Sequence, residues 1–219
     1  MYRILAQHKD FMVINKGPGL GMHDETDESG LLHPGLVSRV KADTGLLLYP
    51  VHRLDKMTSG LVLLARTTEA NRALSMAFAA REVSKQYLAL SDRKPKKKQG
   101  WVKGDMQKGR RGSWMLTRTL DNPAISWFDS VSVREGLRLY RIKPQTGKTH
   151  QIRVALKSVG APILGDERYG GTAADRGYLH AWRLAFTLAG EAFDFVCPPD
   201  EGELFVLPEL HAAISGLAE

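Results

Sequence analysis

The chain has 219 residues, 43% of them hydrophobic, enough for one full core or two closely joined lobes. Its 31 Lys and Arg outweigh 24 Asp and Glu, and a net charge of +7 favours nucleic acid, an anionic membrane surface or an acidic protein as partner. A single cysteine, Cys197, excludes an intrachain disulfide and a cysteine-based zinc site, and no apolar run reaches bilayer length, so a cytoplasmic protein without membrane contact is expected.

Asp10 to Lys16 reads as a strand closed by the turn Gly17-Pro18-Gly19. Residues 20–50 are weakly patterned, with a short helix expected near Leu36 to Val40. Next comes His52-Arg53-Leu54-Asp55-Lys56-Met57-Thr58-Ser59-Gly60. One carboxylate stands between two cations there, and a turn cluster leads into the apolar run Leu61 to Ala65. Thr67 or Thr68 can cap a helix reaching about Glu82, with Ala70, Leu74, Ala77 and Phe78 on one face. Lys85 to Leu90 alternates like a strand, Gln86, Leu88 and Leu90 on one face and Tyr87 and Ala89 on the other.

The stretch 93–111 is strongly basic and reads as a mobile connection or hairpin joining sub-halves 1–92 and 112–219 of a single domain. Strands are expected at Ile125 to Phe128 and at Leu137 to Ile142. A Gln145-Thr146-Gly147-Lys148 turn then opens a helix whose inner face is Ile152, Ala155, Leu156 and Val159. Arg153 falls outside that face and is expected to point away from the core, towards a cleft. Two strands, Leu179 to Thr187 and Ala192 to Cys197, and an amphipathic helix through Leu210, Ala213, Ile214 and Leu217 complete the chain. Strands outnumber helices and lack regular helical crossovers. That pattern implies an α+β fold with a mixed, largely antiparallel sheet flanked by helices.

A carboxylate held on a rigid strand edge beside cations can act as a nucleophile or base, although most Asp residues in turns only cap them. A strand Tyr such as Tyr87 is usually core, yet its ring could stack a nucleobase. Arg153 could keep Asp55 ionised, and Lys148 with the free N–H groups at its helix start could hold a phosphate. The basic run, with Trp101 and Trp114 nearby, is equally readable as a solvated charge run or as an RNA contact. The histidines lack metal-ligand spacing, and neither a phosphate-binding loop nor a dinucleotide turn is present, so no metal and no nucleotide cofactor are expected.

His52-Arg53-Leu54-Asp55 with Thr58-Ser59-Gly60-Leu61 closely resembles the catalytic loop of the RluA-type pseudouridine synthases. Asp10 to Gly19, Lys85 to Ala89, Gly147 to Val154, Ile163 to Gly170 and Leu179-His180-Ala181 resemble the family's other motifs, in the family's order. Lys148 stands where the family usually has Arg, Ala155 where His is frequent, and Gly17-Pro18-Gly19 shifts the usual proline.

The resemblance implies a cofactor-independent isomerase that converts uridine to pseudouridine in structured RNA, ribosomal or transfer. It implies that Asp55 is the nucleophile, Tyr87 packs on the base and Arg153 pairs with Asp55. Arg53 would help to extrude the uridine, and Ile152 and Leu179 would wall its pocket. His52, Thr58, Lys148, His150 and Gln151 complete the expected substrate contacts, in a monomer with its site in a cleft between the halves. Two other readings stand beside this one: an RNA-binding or ribosome-assembly factor without turnover, and a metal-dependent hydrolase using Asp55 and His52.

Overall fold

The computed structural model describes residues 1–217. The first elements are β1 (Tyr2–Gln7), β2 (Phe11–Lys16), β3 (Glu25–Thr26), β4 (Leu32–His33), α1 (Leu36–Thr44), β5 (Tyr49–Pro50), β6 (Ser59–Ala65) and α2 (Thr68–Ala79). There follow β7 (Ser84–Ser91), β8 (Gln99–Gly104), β9 (Met106–Lys108), β10 (Trp114–Leu116), β11 (Ala124–Arg134), β12 (Leu137–Pro144) and α3 (Gln151–Ser158). The last are β13 (Leu179–Leu188), β14 (Glu191–Val196) and α4 (Pro208–Ser215). The fold is α+β, built on largely antiparallel sheet with four α-helices among the described residues. No helix among them is long and apolar enough to cross a membrane.

The chain forms two compact units. Unit 1 is Met1–Ser84 with Ala181–Pro198, and unit 2 is Lys85–His180 with Pro199–Glu219. The division therefore falls between Ser84 and Lys85, and the basic stretch 93–111 lies wholly inside unit 2, where it carries β8 and β9.

In unit 1, β2 and β6 are buried at every position, which is why their sequences read as unbroken apolar runs and not as alternation. They pair antiparallel from Phe11↔Ala65 to Lys16↔Gly60. β1 pairs with β2, β5 with β6 and β14 with β13. Gly60 has φ +104°, and a Cβ there would stand 2.3 Å from the Ala181 carbonyl oxygen, so glycine is needed where β6 meets the β13 backbone. Phe11, Phe186, Phe193 and Phe195 pack edge to face and stacked into one aromatic cluster. α2 is capped by Thr67, whose hydroxyl accepts the Ala70 N–H at 3.1 Å, and it ends at Ala79, a few residues short of the expected end.

In unit 2 the strand order is β7-β12-β11-β8, an antiparallel meander. β9 and β10 form a separate two-stranded ribbon. α3 lies on one face of the meander, where the Gln151 side-chain amide bonds the Ser126 hydroxyl on β11. The chain after α4 reaches Arg141 of β12, whose Nη1 donates to the Leu217 carbonyl at 2.6 Å.

Candidate active site

The Asp55 loop belongs to unit 1 and is held by the turn after β2. Lys16 ends that strand with its side chain fully buried. Its ammonium donates to the carbonyls of Gly17 (2.9 Å), Leu20 (2.8 Å) and Lys56 (3.3 Å). A buried ammonium is costly to desolvate, and carbonyl oxygens offset that cost. The Gly19 N–H also donates to the Lys56 carbonyl, at 2.8 Å. The Thr58 N–H donates to the Asp55 carbonyl at 3.0 Å, closing the turn into β6. The backbone at Asp55 and directly after it is thus tied to buried structure, while Asp55 itself is half-buried.

The remaining loop residues divide by role. Arg53 is exposed. Thr58 is buried. His52, expected as a substrate contact, stacks on Phe78 at 4.7 Å, and its Nε2 accepts the Leu63 N–H at 2.9 Å. That bond makes Nε2 an acceptor and braces the loop against β6 and α2. Lys56 pairs with Glu25.

Tyr87, Lys148, His150, Gln151, Ile152, Arg153 and Leu179 all belong to unit 2. Tyr87 is half-buried on β7, opposite Ile142 of β12. Arg153 does not point out from its helix. Residues Gln151 to Leu156 are all buried, so α3 is enclosed well beyond the expected apolar stripe. Enclosure is possible because Asp166 supplies the counter-charge: Arg153 Nε and Nη2 donate to its two carboxylate oxygens at 2.8 Å each. The guanidinium also lies over the Tyr169 ring, 4.9 Å from its centre.

Tyr169 links two further parts of unit 2. Its hydroxyl accepts the Trp114 N–H at 2.9 Å and meets His150 Nδ1 at 2.7 Å. Burial pushes its pKa up, which keeps the phenol protonated and able to serve His150 as donor. His150 sits at the start of α3 with φ +56°, an uncommon conformation for a side chain with a Cβ.

Gln151 is buried and its amide is fully engaged by the chain. Oε1 accepts from the Thr146 hydroxyl (2.6 Å) and the Lys148 N–H (3.0 Å); Nε2 donates to the Ile125 carbonyl (3.0 Å) and the Ser126 hydroxyl (2.8 Å). Its expected substrate contact therefore gives way to a structural one: it fixes the turn before α3 onto β11. Lys148 Nζ donates to the Asn122 side chain at 2.7 Å, and its backbone N–H, expected to be open to a phosphate, is taken by Gln151. Ile152 and Leu179 are buried, and Arg176 Nη2 reaches the Leu179 carbonyl.

Lys16, Asp166 and Tyr169 gained no site role from sequence reasoning. The signal for Asp166 was its motif, a carboxylate between an apolar pair and two glycines. A Cβ on Gly165 would stand 1.9 Å from the Arg176 carbonyl oxygen, which shows how tightly that turn is packed. For Lys16 the signal was a charge ending a strand that opens on four apolar residues. Among the described residues, no group of three or more His, Cys, Asp or Glu could hold a metal ion.

Residues 10–158 match the family model described as RNA pseudouridylate synthase. An "Uncharacterized RNA pseudouridine synthase" of Haemophilus influenzae is 46% identical over 213 residues, covering 96% of this chain and 93% of that protein. The "Ribosomal large subunit pseudouridine synthase D" of Vibrio parahaemolyticus is 32% identical over 229 residues, covering 90% of this chain and 67% of that protein. Among solved structures, "Human RNA Pseudouridylate Synthase Domain Containing 4" superposes with a TM-score of 0.72 at 26% identity, covering 95% of this chain and 92% of that one. The chain belongs to the RluA-type RNA pseudouridylate synthase family and is an RNA pseudouridine synthase, an isomerase.

Proposed function

We propose that this enzyme isomerises a specific uridine in structured RNA with Asp55 as nucleophile. The observation that carries the reading is the Asp55 loop itself. Asp55 stands on backbone tied down at its own carbonyl and directly after it, by the Thr58 turn into a fully buried strand and by Lys16 through Lys56. A carboxylate presented on such a mount loses little freedom when it attacks. Arg153, itself fixed by Asp166, is in this reading the cation that pairs with the reacting carboxylate. Tyr87 offers a ring to the base, and Ile152 and Leu179 its apolar walls. The exposed Arg53 fills the gap left by the extruded uridine. Unstacking that uridine costs a few kcal/mol. Lysines and arginines gripping the flanking phosphates offset it, among them Lys108, Arg110 and Arg111 on the β9–β10 ribbon.

The isomerisation detaches uracil from ribose, turns it and rejoins it through C5. No electrons leave or enter and no group is added, so the reaction requires no redox cofactor. First attack at C1′, attack at C6 and deprotonation at C2′ are all compatible with one ionised carboxylate. The substrate is ribosomal or transfer RNA. The Vibrio relative carries the ribosomal large subunit in its name, which favours ribosomal RNA. A cytoplasmic location follows from such a substrate.

Asp55→Asn should abolish pseudouridine formation while RNA affinity stays near wild type; turnover by this variant would remove Asp55 as nucleophile. Pseudouridine mapping of total RNA from cells with and without the gene identifies the target, and identical maps would refute a cellular RNA substrate.

A further inference from the structure

The meander of unit 2 has two faces. Ser126, Phe128 and Tyr140 lie on the face that carries α3, and the alternation of a strand places Trp127 on the other. On that opposite face Trp127 of β11 stands directly across from Trp101 of β8 on one side and Lys143 of β12 on the other. Two residues along, Ile125 faces Lys103. A row of indole, indole and ammonium therefore crosses three adjacent strands, with a second ammonium beside it.

The lysines sit on the rings. Lys103 Nζ lies 5.1 Å from the centre of the Trp101 ring, and Lys143 Nζ lies 5.3 Å from that of Trp127. A third ammonium, Lys97 Nζ, bonds the Trp101 carbonyl at 2.6 Å. The acidic neighbour in the next row, Asp129, is engaged by Arg141 through two bonds. On the same face, one row from Trp127, Arg141 Nη1 donates to the Leu217 carbonyl at 2.6 Å. Beyond it Trp101 keeps 43% of its surface exposed.

Protein interface cores are rich in Trp but depleted in Lys. Single-stranded nucleic acid is gripped by aromatic faces interleaved with cations, because every base has a face to stack and every nucleotide a phosphate. We propose that this face is a second RNA-contact surface, where unpaired nucleotides of the substrate RNA stack on Trp101 and Trp127 while Lys103 and Lys143 hold the flanking phosphates. An indole has two faces, and the lysine occupies one. A base on the other leaves the ammonium within reach of the next phosphate. The surface deepens the RNA-isomerase reading, on which it rests, by giving the enzyme a grip on RNA away from the reacting uridine.

The test uses the full chain and an oligoadenylate, which contains no uridine and so cannot be a substrate. Fluorescence anisotropy should show the Trp101→Ala, Lys103→Ala double variant binding it roughly five- to a hundredfold more weakly, the worth of one stacked base. Trp101→Phe, which keeps a ring, should retain most of the affinity. Lys103→Ala alone should make the slope of log affinity against log salt shallower by about 0.7. Wild-type affinity in the double variant overturns the proposal, and so does equal loss from Phe and Ala at position 101. Neither result bears on uridine isomerisation, which is scored separately by pseudouridine formation in the wild-type protein.

Discussion

Asp166 holds Arg153 in a two-pronged grip: Nε to Oδ2 and Nη2 to Oδ1, both 2.8 Å, with both side chains buried. A planar guanidinium gripped in this way cannot swing. The pair is separated by 13 residues in sequence, on α3 and on the turn after it.

Breaking the pair from one side leaves an uncompensated buried cation, so Asp166→Ala should lose about 3–5 kcal/mol of stability. Replacing both partners, Arg153→Met with Asp166→Leu, should recover most of that loss, since a buried ion pair and an apolar pair of similar volume are close in energy. Activity should stay absent in both. Urea unfolding with a pseudouridine assay on each protein checks this. An active double variant would show that Arg153 serves stability alone.

Lys16→Met removes the charge but keeps the length of the chain. The carbonyls of Gly17, Leu20 and Lys56 then lose their shared donor. An unsatisfied buried acceptor costs about 1–3 kcal/mol. The loop should loosen before the core does. Amide exchange at residues 54–59 should rise more than in β2, and turnover should fall although Asp55 is intact. Unchanged exchange there would mean that the loop is held by its other bonds.

Gln151→Leu keeps side-chain bulk but strands the Thr146 hydroxyl donor, the Lys148 N–H and the Ser126 hydroxyl acceptor, and leaves the Ile125 carbonyl only its bond from the Gln145 N–H. The expected stability loss is about 2–5 kcal/mol. Gln151→Glu preserves the two acceptor contacts and should suffer less. If Gln151 instead served only the substrate, both variants would unfold like wild type and differ only in KM.

Asp194 on β14 is hydrogen-bonded by Arg183 on β13, which holds its carboxyl below the ordinary value of 3.8. A depressed carboxyl stabilises the fold at neutral pH, and this contribution is lost as pH falls below 3.8 through the folded pKa. Asp194→Asn should therefore flatten the acid limb of a plot of Tm against pH. The effect is small because both side chains are partly solvated. An acid limb of unchanged slope would show that the pair contributes nothing.

Much of the fold was legible because its signals are local. The unbroken apolar runs of β2 and β6 and the Thr67 cap before α2 mark elements through neighbours within a few residues. The boundaries were less so: β11 runs on to Arg134 because its register against β12 continues past Phe128, its last fully buried residue. The basic stretch 93–111 read as a connection because charge masks the alternation of β8, where only Val102 and Gly104 are buried.

Local pattern and motif order thus settled on their own the family, the fold class and which carboxylate stands in the key loop. Each rests on chemistry within a few residues of chain. Which polar groups serve the chain and which are left for RNA was decided only by tertiary contacts. His52 and Gln151 look like substrate ligands in one dimension, yet their ring and amide are bound to Leu63, Thr146, Lys148, Ile125 and Ser126. Arg153 looks like an outward cation, yet it is enclosed by a carboxylate from beyond its own helix. A polar side chain is committed by the partner that desolvates it, and that partner is set by the fold.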